Sequence, residues 1–346
     1  MYTVGGLFSG VGGIELGFER TGKFDILWAN ENDKYACKTY RNNHNHTLYE
    51  KSIYNLTAKE LRPVDILTAG FPCQAFSIAG YRKGFQDERG ELFFEIMRLV
   101  DEFEELGHKP KVLFLENVKN FKTHDNGKTI NIVEKEIRNR GYSFFDEIIN
   151  TSEVTDIPQN RERTFMVCFK DENRWNEIIK DEKHAGDIFK DLFPPRRRKS
   201  KKHIQQMLSG KKVDDRFYYD ERYKMFNKIQ EEITSSDTVY QWRRKYVRRN
   251  KSNEFPTLTA NMGTGGHNVP LVKDNWGIRK LTPQECFAIQ GFPEIKIPDF
   301  KGDSQLYKQA GNMVTVNVIE LIADAIFRSL EYKYNSDKVY QVSLSD

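Results

Sequence analysis

The chain has 346 residues, of which 38% are hydrophobic and 30% are charged, a composition typical of a globular protein. No stretch approaches the roughly 18 consecutive apolar residues that a membrane span needs, and the first residues do not have the pattern of a signal peptide. The four cysteines are widely spaced and form no CxxC pair. These features argue against a structural zinc and predict a cytoplasmic protein without a membrane segment.

The net charge of +4 conceals an uneven distribution. Residues 183–273 hold 21 Lys and Arg but only 10 Asp and Glu. One interpretation is a surface that binds a polyanion, because neutralising phosphates releases counterions. The other is an ordinary solvated surface, and charge alone does not decide between them.

Residues 1–170 read as alternating strands and helices, which predicts an α/β fold with a doubly wound, mostly parallel sheet. The clearest helix prediction covers 91–106, where apolar residues recur at helical spacing, and another covers 318–330. The predicted strands are 2–8, 24–29, 64–69, 111–115 and 164–169. We expect a large α/β domain at 1–182, a smaller basic domain at 183–273, and a segment at 274–346 that returns to complete the first domain.

A glycine-rich turn, FSGVGG at 8–13, follows the first predicted strand and opens a helix. Gly10, Gly12 and Gly13 allow a tight turn and the close approach of a ligand to the helix N-terminus. Glu31 ends the second predicted strand, where an acidic side chain accepts hydrogen bonds from ribose hydroxyls. The pair fits NAD, FAD or S-adenosylmethionine, and a purely structural turn is the alternative. The missing GxGxxG spacing disfavours a dinucleotide.

The segment GFPCQAFS at 70–77 directly follows the predicted strand 64–69. It places Cys73 at the carboxyl end of a central parallel strand, the edge where open α/β sheets bind ligands. A cysteine that packs as a small hydrophobic residue is the alternative. Because glycine and proline precede Cys73 in a turn, we favour a thiolate nucleophile.

Two further segments bring charged side chains to the same edge. Glu116 follows the predicted strand 111–115, so it would lie beside Cys73 if the two strands are neighbours. A partly desolvated carboxyl there would stay protonated and act as an acid, whereas helix capping is the alternative. Arg161 and Arg163, in QNRER, would point to one side of an extended segment and bind a phosphate or a base edge. An ion pair with Glu162 is the other interpretation.

Taken in order, these segments resemble the C5-cytosine DNA methyltransferases of bacterial restriction–modification systems. Eight motifs occur in the family order, and they span the chain except for about residues 183–255. The matching segments are LFSGVGG, NENDKYA, GFPCQAFS, ERGELFF, ENV, QNRER, RKLTPQECFAIQGFP (279–293) and YKQAGNMVTVNV (307–318).

The resemblance implies that Cys73 attacks C6 of a flipped-out cytosine. It implies that Glu116 holds and protonates N3, and that Arg163 and Arg161 hold the target cytosine and the nearby backbone. Residues 77–90 would form the loop that closes over the base, and Thr257 and Leu258 match the short TL element at the end of the recognition domain. Both faces of the ring must be reached, so the base has to leave the duplex.

The implied cofactor is S-adenosyl-L-methionine, and no catalytic metal is expected. Its pocket would be lined by Phe8, Gly10, Glu31 and Asn312, together with the other glycines of the turn. The chain departs from the family pattern at three positions near the cofactor: Gly6 replaces an Asp, Asn32 replaces an aromatic residue, and Ser52 replaces an Asp that contacts adenine.

The implied partner is double-stranded DNA, which a target-recognition domain at 183–273 would bind. The enzyme is expected to be a monomer, and a cognate restriction endonuclease is expected to act on the same site. The basic runs 196–202 and 243–251 (RRKYVRRNK) are expected mainly to grip phosphates, and a few base-reading residues are expected between 230 and 268. Methylation of transfer RNA is the nearest rival, which the long basic segment disfavours. A Rossmann-type oxidoreductase would leave Cys73 and Glu116 unexplained, and so would a catalytically inactive DNA-binding module.

Overall fold

The computed structural model describes residues 1–72, 91–170, 189, 202–243, 245–264 and 269–331. The predicted nucleophile Cys73 and the predicted loop at 77–90 lie outside the described residues. Within the described part, none of the helices has the length and apolar character needed to cross a membrane.

A seven-stranded sheet forms the centre of the described structure. Its strands are β1 (Tyr2–Leu7), β2 (Phe24–Asn30), β3 (Thr47–Tyr49), β4 (Ile66–Gly70), β5 (Val112–Val118), β6 (Phe145–Asn150) and β8 (Glu162–Phe169). The order is β3-β2-β1-β4-β5-β8-β6, in which β1 to β5 run parallel and β8 is antiparallel to both of its neighbours. The predicted doubly wound, mostly parallel α/β class is confirmed.

Helices cover both faces of this sheet. The described α-helices are α1 (Gly13–Arg20), α2 (Lys34–Asn43), α3 (Glu91–Glu105), α4 (Lys128–Arg138), α5 (Thr151–Val154), α6 (Phe226–Glu232), α7 (Pro283–Ile289), α8 (Ser304–Asn312) and α9 (Val316–Glu331). Side chains of α3 and α4 share one apolar cluster with Trp28 and Leu67, whereas α1 and α9 pack on the opposite face around Val4 and Ile66. Short 3-10 helices lie at Ile53–Asn55, Ala58–Glu60, Lys119–Phe121, His124–Gly127, Ile204–Met207 and Asp215–Phe217.

Strand β8 begins earlier than its prediction. We expected QNRER to precede a strand that begins at residue 164, but β8 already begins at Glu162. Arg163 pairs with Val118 on one side and with Ile149 on the other. The residues at the start of β8 are polar, so no apolar run marks them as a strand in the sequence. They form a strand because they pair with β5 on one side and with β6 on the other.

The basic segment contributes to a second, four-stranded antiparallel sheet. Its strands are β9 (Tyr240–Arg243), β10 (Tyr246–Arg249), β12 (Leu271–Lys273) and β13 (Ile278–Lys280), in the order β10-β9-β12-β13. Ile229, Ile233 and Tyr240 lie in its apolar core. Strand β13 follows residue 273, so this sheet extends beyond the predicted end of the basic domain. The domain boundaries stay a prediction.

Two short strands join the basic segment to the large sheet. Strand β7 (Gln159–Asn160) pairs in parallel with β11 (Phe255–Pro256). Since β7 directly precedes β8, this pairing holds the end of the basic segment close to one edge of the parallel strands.

Candidate active site

The carboxyl ends of β1, β4 and β5 meet at one edge of the large sheet. Strand β1 lies between β2 and β4, so the chain order reverses at this point, and such switch points form a crevice for ligands. Gly70 at the end of β4 is in register with Glu116 on β5. The two strands are therefore neighbours, as the sequence argument for Glu116 required.

The turn after β1 is held by the carboxylate of Glu31. The backbone N–H of Gly10 donates to Glu31 Oε2 over 2.8 Å, and the N–H groups of Asn32 and Asp33 donate to Oε1 over 2.8 Å each. Phe8 adopts a φ of 55°, a left-handed conformation that is strained for a non-glycine residue. The turn and the carboxylate are thus fixed in relation to one another before any ligand binds.

The glycines of this turn have different surroundings. Gly13 lines the cleft beside the turn, whereas Gly12 does not. Gly12 has a φ of 86°, and a Cβ there would lie 2.1 Å from His44 Nε2. A side chain at position 12 is therefore excluded both by backbone strain and by the close approach of His44.

One cleft of about 480 Å³ contains most of the predicted site, and this volume is within the usual range for small-molecule pockets. Its lining includes the predicted residues Phe8, Gly10, Gly13, Glu31, Asn312, Glu116 and Arg163. Lys308 also lines it and donates to Asp33 Oδ2 over 2.7 Å, an ion pair for which the sequence offered no signal.

Glu116 and Arg163 form the charged pair of the cleft. Arg163 Nε lies 3.2 Å from Glu116 Oε1, and the Glu116 residue is 8% exposed. Burial raises the pKa of the Glu116 carboxyl, while the positive charges of Arg163 and Arg161 partly oppose this rise. As a result, the Glu116 carboxyl stays protonated to higher pH than the carboxyl of an exposed glutamate does.

Asn117, which we had assigned no role, connects β5 to the segment that leads to Cys73. Its side-chain Nδ2 donates to the backbone carbonyl of Phe71 over 3.0 Å, and its Oδ1 accepts from the N–H of Val118 over 2.8 Å. Pro72, the residue before Cys73, lines the cleft. This contact fixes the end of β4 beside Glu116.

Arg161 does not line this cleft, and its partners differ from those of Arg163. The Arg161 side chain is buried and donates to three backbone carbonyls: Leu258 over 2.8 Å, Gly311 over 3.1 Å and Met313 over 2.5 Å. It thus joins the end of the basic segment to the C-terminal part of the chain. Of these two arginines, Arg163 is the one that faces the cleft.

A family model described as C-5 cytosine-specific DNA methylase matches residues 2–328. The chain belongs to this family. It is 47% identical over 333 residues to the type II methyltransferase M.Bsp6I of Bacillus sp. (strain RFL6), which covers 95% of this chain and 100% of that protein. It is 36% identical over 342 residues to M.HhaI of Haemophilus parahaemolyticus, with 94% of each chain covered.

Solved structures agree on the fold. The crystal structure of the S. pombe Dnmt2 methyltransferase matches with a TM-score of 0.72 and 20% identity, covering 96% of this chain and 100% of that one. The family match and the two type II methyltransferase relatives identify the protein as a DNA cytosine-5-methyltransferase, as the sequence motifs predicted.

The departure of this methylase from the family pattern at Gly6 has a physical reason. A Cβ at Gly6 would lie 1.9 Å from Glu15 Oε1 and 2.8 Å from Ser9 Oγ, so the Glu15 carboxyl occupies the space that a side chain at position 6 would need. Glu15 is fully buried, and burial raises its pKa to about 7. Among the described residues, neither carboxyl oxygen of Glu15 has a hydrogen-bond partner.

Potential metal ligands meet at one place in the described part of this methylase. Glu19, His44 and His46 each offer a ligand atom, and these atoms lie within 4.8 Å of one another. His44 Nε2 already contacts the carbonyl of Val11 at 3.1 Å, and His46 Nδ1 contacts the Tyr40 hydroxyl at 2.8 Å. None of the three lines the cleft, so the group has no evident part in its chemistry.

A second, more open cleft lies between the small sheet and the edge of the large one. Asn160 and Thr257 line it on one side, and the Thr257 hydroxyl donates to the Asn160 carbonyl over 2.6 Å. Side chains of β9 and β10 line it on the other side. The Tyr240 ring packs in the core of the small sheet and is 1% exposed.

Proposed function

We propose that the protein transfers a methyl group from S-adenosyl-L-methionine to C5 of a cytosine flipped out of a specific double-stranded DNA sequence, through a covalent bond between Cys73 and C6. The observation that carries this proposal is the single cleft that contains the Glu31-anchored turn and the Glu116–Arg163 pair. Pro72, which precedes Cys73, lines the same cleft. A cofactor and a base would therefore meet at one edge of the sheet.

The residues of the turn fit the cofactor. Glu31 Oε1 accepts two backbone N–H groups and Oε2 accepts one, and the remaining lone pair of Oε2 can accept a hydrogen bond from a ribose hydroxyl. Phe8, Gly10, Gly13 and Asn312 would line the rest of the pocket. When bound, S-adenosyl-L-methionine supplies an electrophilic methyl group.

C5 is a poor nucleophile in free cytosine, so the reaction begins with an addition at C6. The Cys73 thiolate adds to C6 while the Glu116 carboxyl donates its proton to N3, and the ring becomes an enamine with electron density at C5. C5 then receives the methyl group. Loss of the C5 proton to water, return of the N3 proton to Glu116 and cleavage of the S–C6 bond release the thiolate and the methylated base.

Arg163 and Arg161 support this chemistry in different ways. Arg163 holds the Glu116 carboxyl from 3.2 Å and has N–H groups left to contact the target nucleotide. Arg161 acts as a positioning residue, because its side chain binds three backbone carbonyls and lines no part of the cleft. Donors that are fixed in advance lower the cost of reorganisation in the transition state.

Duplex DNA is the substrate that the family description and the relatives' designation as type II methyltransferases support. We infer that the protein acts as a monomer in the bacterial cytoplasm, where it protects the sites that a cognate restriction endonuclease cleaves. The uneven charge of residues 183–273 agrees with a polyanionic substrate.

A trapping experiment tests the proposal. Duplex DNA that contains 5-fluorocytosine at the methylated position carries no proton at C5, so elimination fails and a covalent protein–DNA species should accumulate in the presence of S-adenosyl-L-methionine. Cys73→Ala should form no such species and lose at least about a thousandfold in methyl transfer, the scale expected on removal of a nucleophile. Cys168→Ala is the matched control, because Cys168 lies on β8 opposite Leu113, far from the carboxyl edge.

Two results would contradict the proposal. One is a Cys73→Ala protein that labels duplex DNA at the wild-type rate. The other is a wild-type protein that methylates total transfer RNA in preference to duplex DNA. Bisulfite sequencing of the methylated duplex identifies the modified cytosine and its flanking sequence.

A further inference from the structure

The strands β9 and β10 form a two-stranded ribbon with two different faces. Gln241 is opposite Arg248, and Arg243 is opposite Tyr246. Directly opposite residues lie on the same face, and successive residues alternate between faces. Gln241, Arg243, Tyr246 and Arg248 therefore share one face of the ribbon.

The other face of the ribbon packs against protein. Tyr240 and Val247 are 1% and 8% exposed and belong to the core of the small sheet, and Trp242 packs against that core. In contrast, Arg243, Tyr246 and Arg248 are exposed and line the open cleft. The polar face is thus held outwards by the packing of its own opposite side.

Within the described part of the chain, the arginines of this face lack the acidic partners that some other cations of the basic segment have. Arg216 pairs with Asp303, Arg222 with Asp220, and Lys202 with Asp156. Among the residues that the structure describes, no carboxylate lies within ion-pair distance of Arg243 or Arg248. An unpaired guanidinium keeps its donors available for an acceptor outside the chain.

The arrangement of the donors is suited to a base edge. Arg243 Nη2 donates to Gln241 Oε1 over 3.2 Å, so the guanidinium is oriented by a neighbour on the same face. A two-stranded ribbon fits the major groove of B-form DNA, and an arginine fork matches the O6 and N7 acceptors of guanine. An arginine fork can also bind a phosphate bidentately, and the 7-deazaguanine experiment below distinguishes the two contacts.

The cleft also connects the ribbon to the catalytic edge. It is lined on its far side by Asn160 and Thr257, and Asn160 directly precedes Arg161. DNA held by the ribbon would consequently lie beside the edge that carries Glu116.

We propose that Arg243 and Arg248 read two guanines in the major groove of the target sequence, with Gln241 orienting the Arg243 guanidinium. This inference rests on the proposed function and names the residues that select its DNA substrate. Arg249 is also exposed and lines the cleft, but it lies on the same face of the ribbon as Tyr240 and Val247 and is not part of this reading pair.

The test replaces each arginine by lysine, which keeps the charge and removes the fork. Wild type, Arg243→Lys and Arg248→Lys are compared on the target duplex found by bisulfite sequencing and on duplexes with single base-pair changes. Each variant should lose roughly 5- to 150-fold in discrimination at one guanine position, the range for one bidentate contact. Arg222→Lys is the control, since that exposed arginine already pairs with Asp220 and lines no part of the cleft.

A second arm uses 7-deazaguanine, which lacks the N7 acceptor, at each guanine of the target. Wild type should lose affinity at two of these positions, and each lysine variant should be insensitive to the modification at one of them. Lysine variants that discriminate as wild type does would overturn the inference while leaving the proposed function intact. Failure of wild type to methylate any duplex would instead contradict the proposed function.

Discussion

The cleft at the edge of the large sheet and the ribbon of β9 and β10 both carry arginines, but these arginines have different partners. In and beside the cleft, Arg163 lies 3.2 Å from Glu116, and Arg161 is buried against three backbone carbonyls. On the ribbon, Arg243 and Arg248 are exposed, and among the described residues they have no acidic partner.

The comparison shows how two parts of one chain divide two tasks. Chemistry requires groups whose positions are fixed before the substrate arrives, so the charges of the cleft are already bound to the protein. Selection of a sequence requires donors that remain free until the base edge reaches them. We therefore expect changes in the cleft to alter rates at an unchanged target sequence, and changes on the ribbon to alter the target itself.

The largest effect is expected for Glu116→Gln, which leaves a hydrogen-bond donor for cytosine N3 but cannot transfer a proton. Loss of a general acid typically costs about 10²- to 10⁴-fold in rate. Single-turnover methylation of the target duplex measures this loss. The distribution of methylated sites should be the same as in wild type, because the ribbon is unchanged.

The pH dependence sharpens this prediction. Burial raises the pKa of Glu116, so its proton is retained at pH values where an exposed glutamate has lost it, and the wild-type rate should fall as the pH rises through that raised value. The glutamine variant should lack this fall. An unchanged rate, or a changed target sequence, would show that Glu116 has a different task.

Arg161→Met tests the connection between the two regions. Three buried carbonyls, of Leu258, Gly311 and Met313, would lose their donor, which should lower the free energy of unfolding by about 3 kcal/mol or more. The midpoint of urea-induced unfolding measures this loss. Arg163→Met is the matched control, because Arg163 faces the cleft. It should lower the methylation rate, and its unfolding midpoint should stay closer to that of wild type than the midpoint of Arg161→Met does. Equal unfolding midpoints for Arg161→Met and wild type would refute the positioning role.

Much of the cleft could be predicted from the sequence, because local turns place its residues. The FSGVGG turn, and the two strands that carry Gly70 and Glu116, can be located from apolar runs in the sequence. Phe8, Gly10, Gly13, Glu31, Glu116, Arg163 and Asn312 accordingly line one cleft. The different position of Arg161 was hidden, since its partners Leu258 and Gly311 lie about 100 and 150 residues away in the chain.

The reading face of the ribbon could not be predicted in the same way. In RRKYVRRNK the basic residues have no clear period, and a shift of one residue in register would move each arginine to the other face. Only the pairing of Gln241 with Arg248 and the burial of Tyr240 show that Arg243 and Arg248 share the face turned away from the core of the small sheet. Residues of this kind are determined by tertiary packing and leave little signal in a single sequence.

The smallest effect concerns Glu15, the buried carboxyl behind the turn of the cleft. Its pKa in the folded protein is about 7, compared with 4.5 for a free glutamate, so between these values the folded state holds more protons than the unfolded state. The contribution of Glu15 to stability should therefore be fully present below pH 4.5 and should fall by about 3 kcal/mol as the pH rises to 7. Urea unfolding across this range should show no such fall for Glu15→Gln relative to wild type, whereas the exposed control Glu221→Gln should retain it. Parallel pH profiles for Glu15→Gln and wild type would mean that the carboxyl finds a partner in solution, and the cleft would then be less rigid than its contacts indicate.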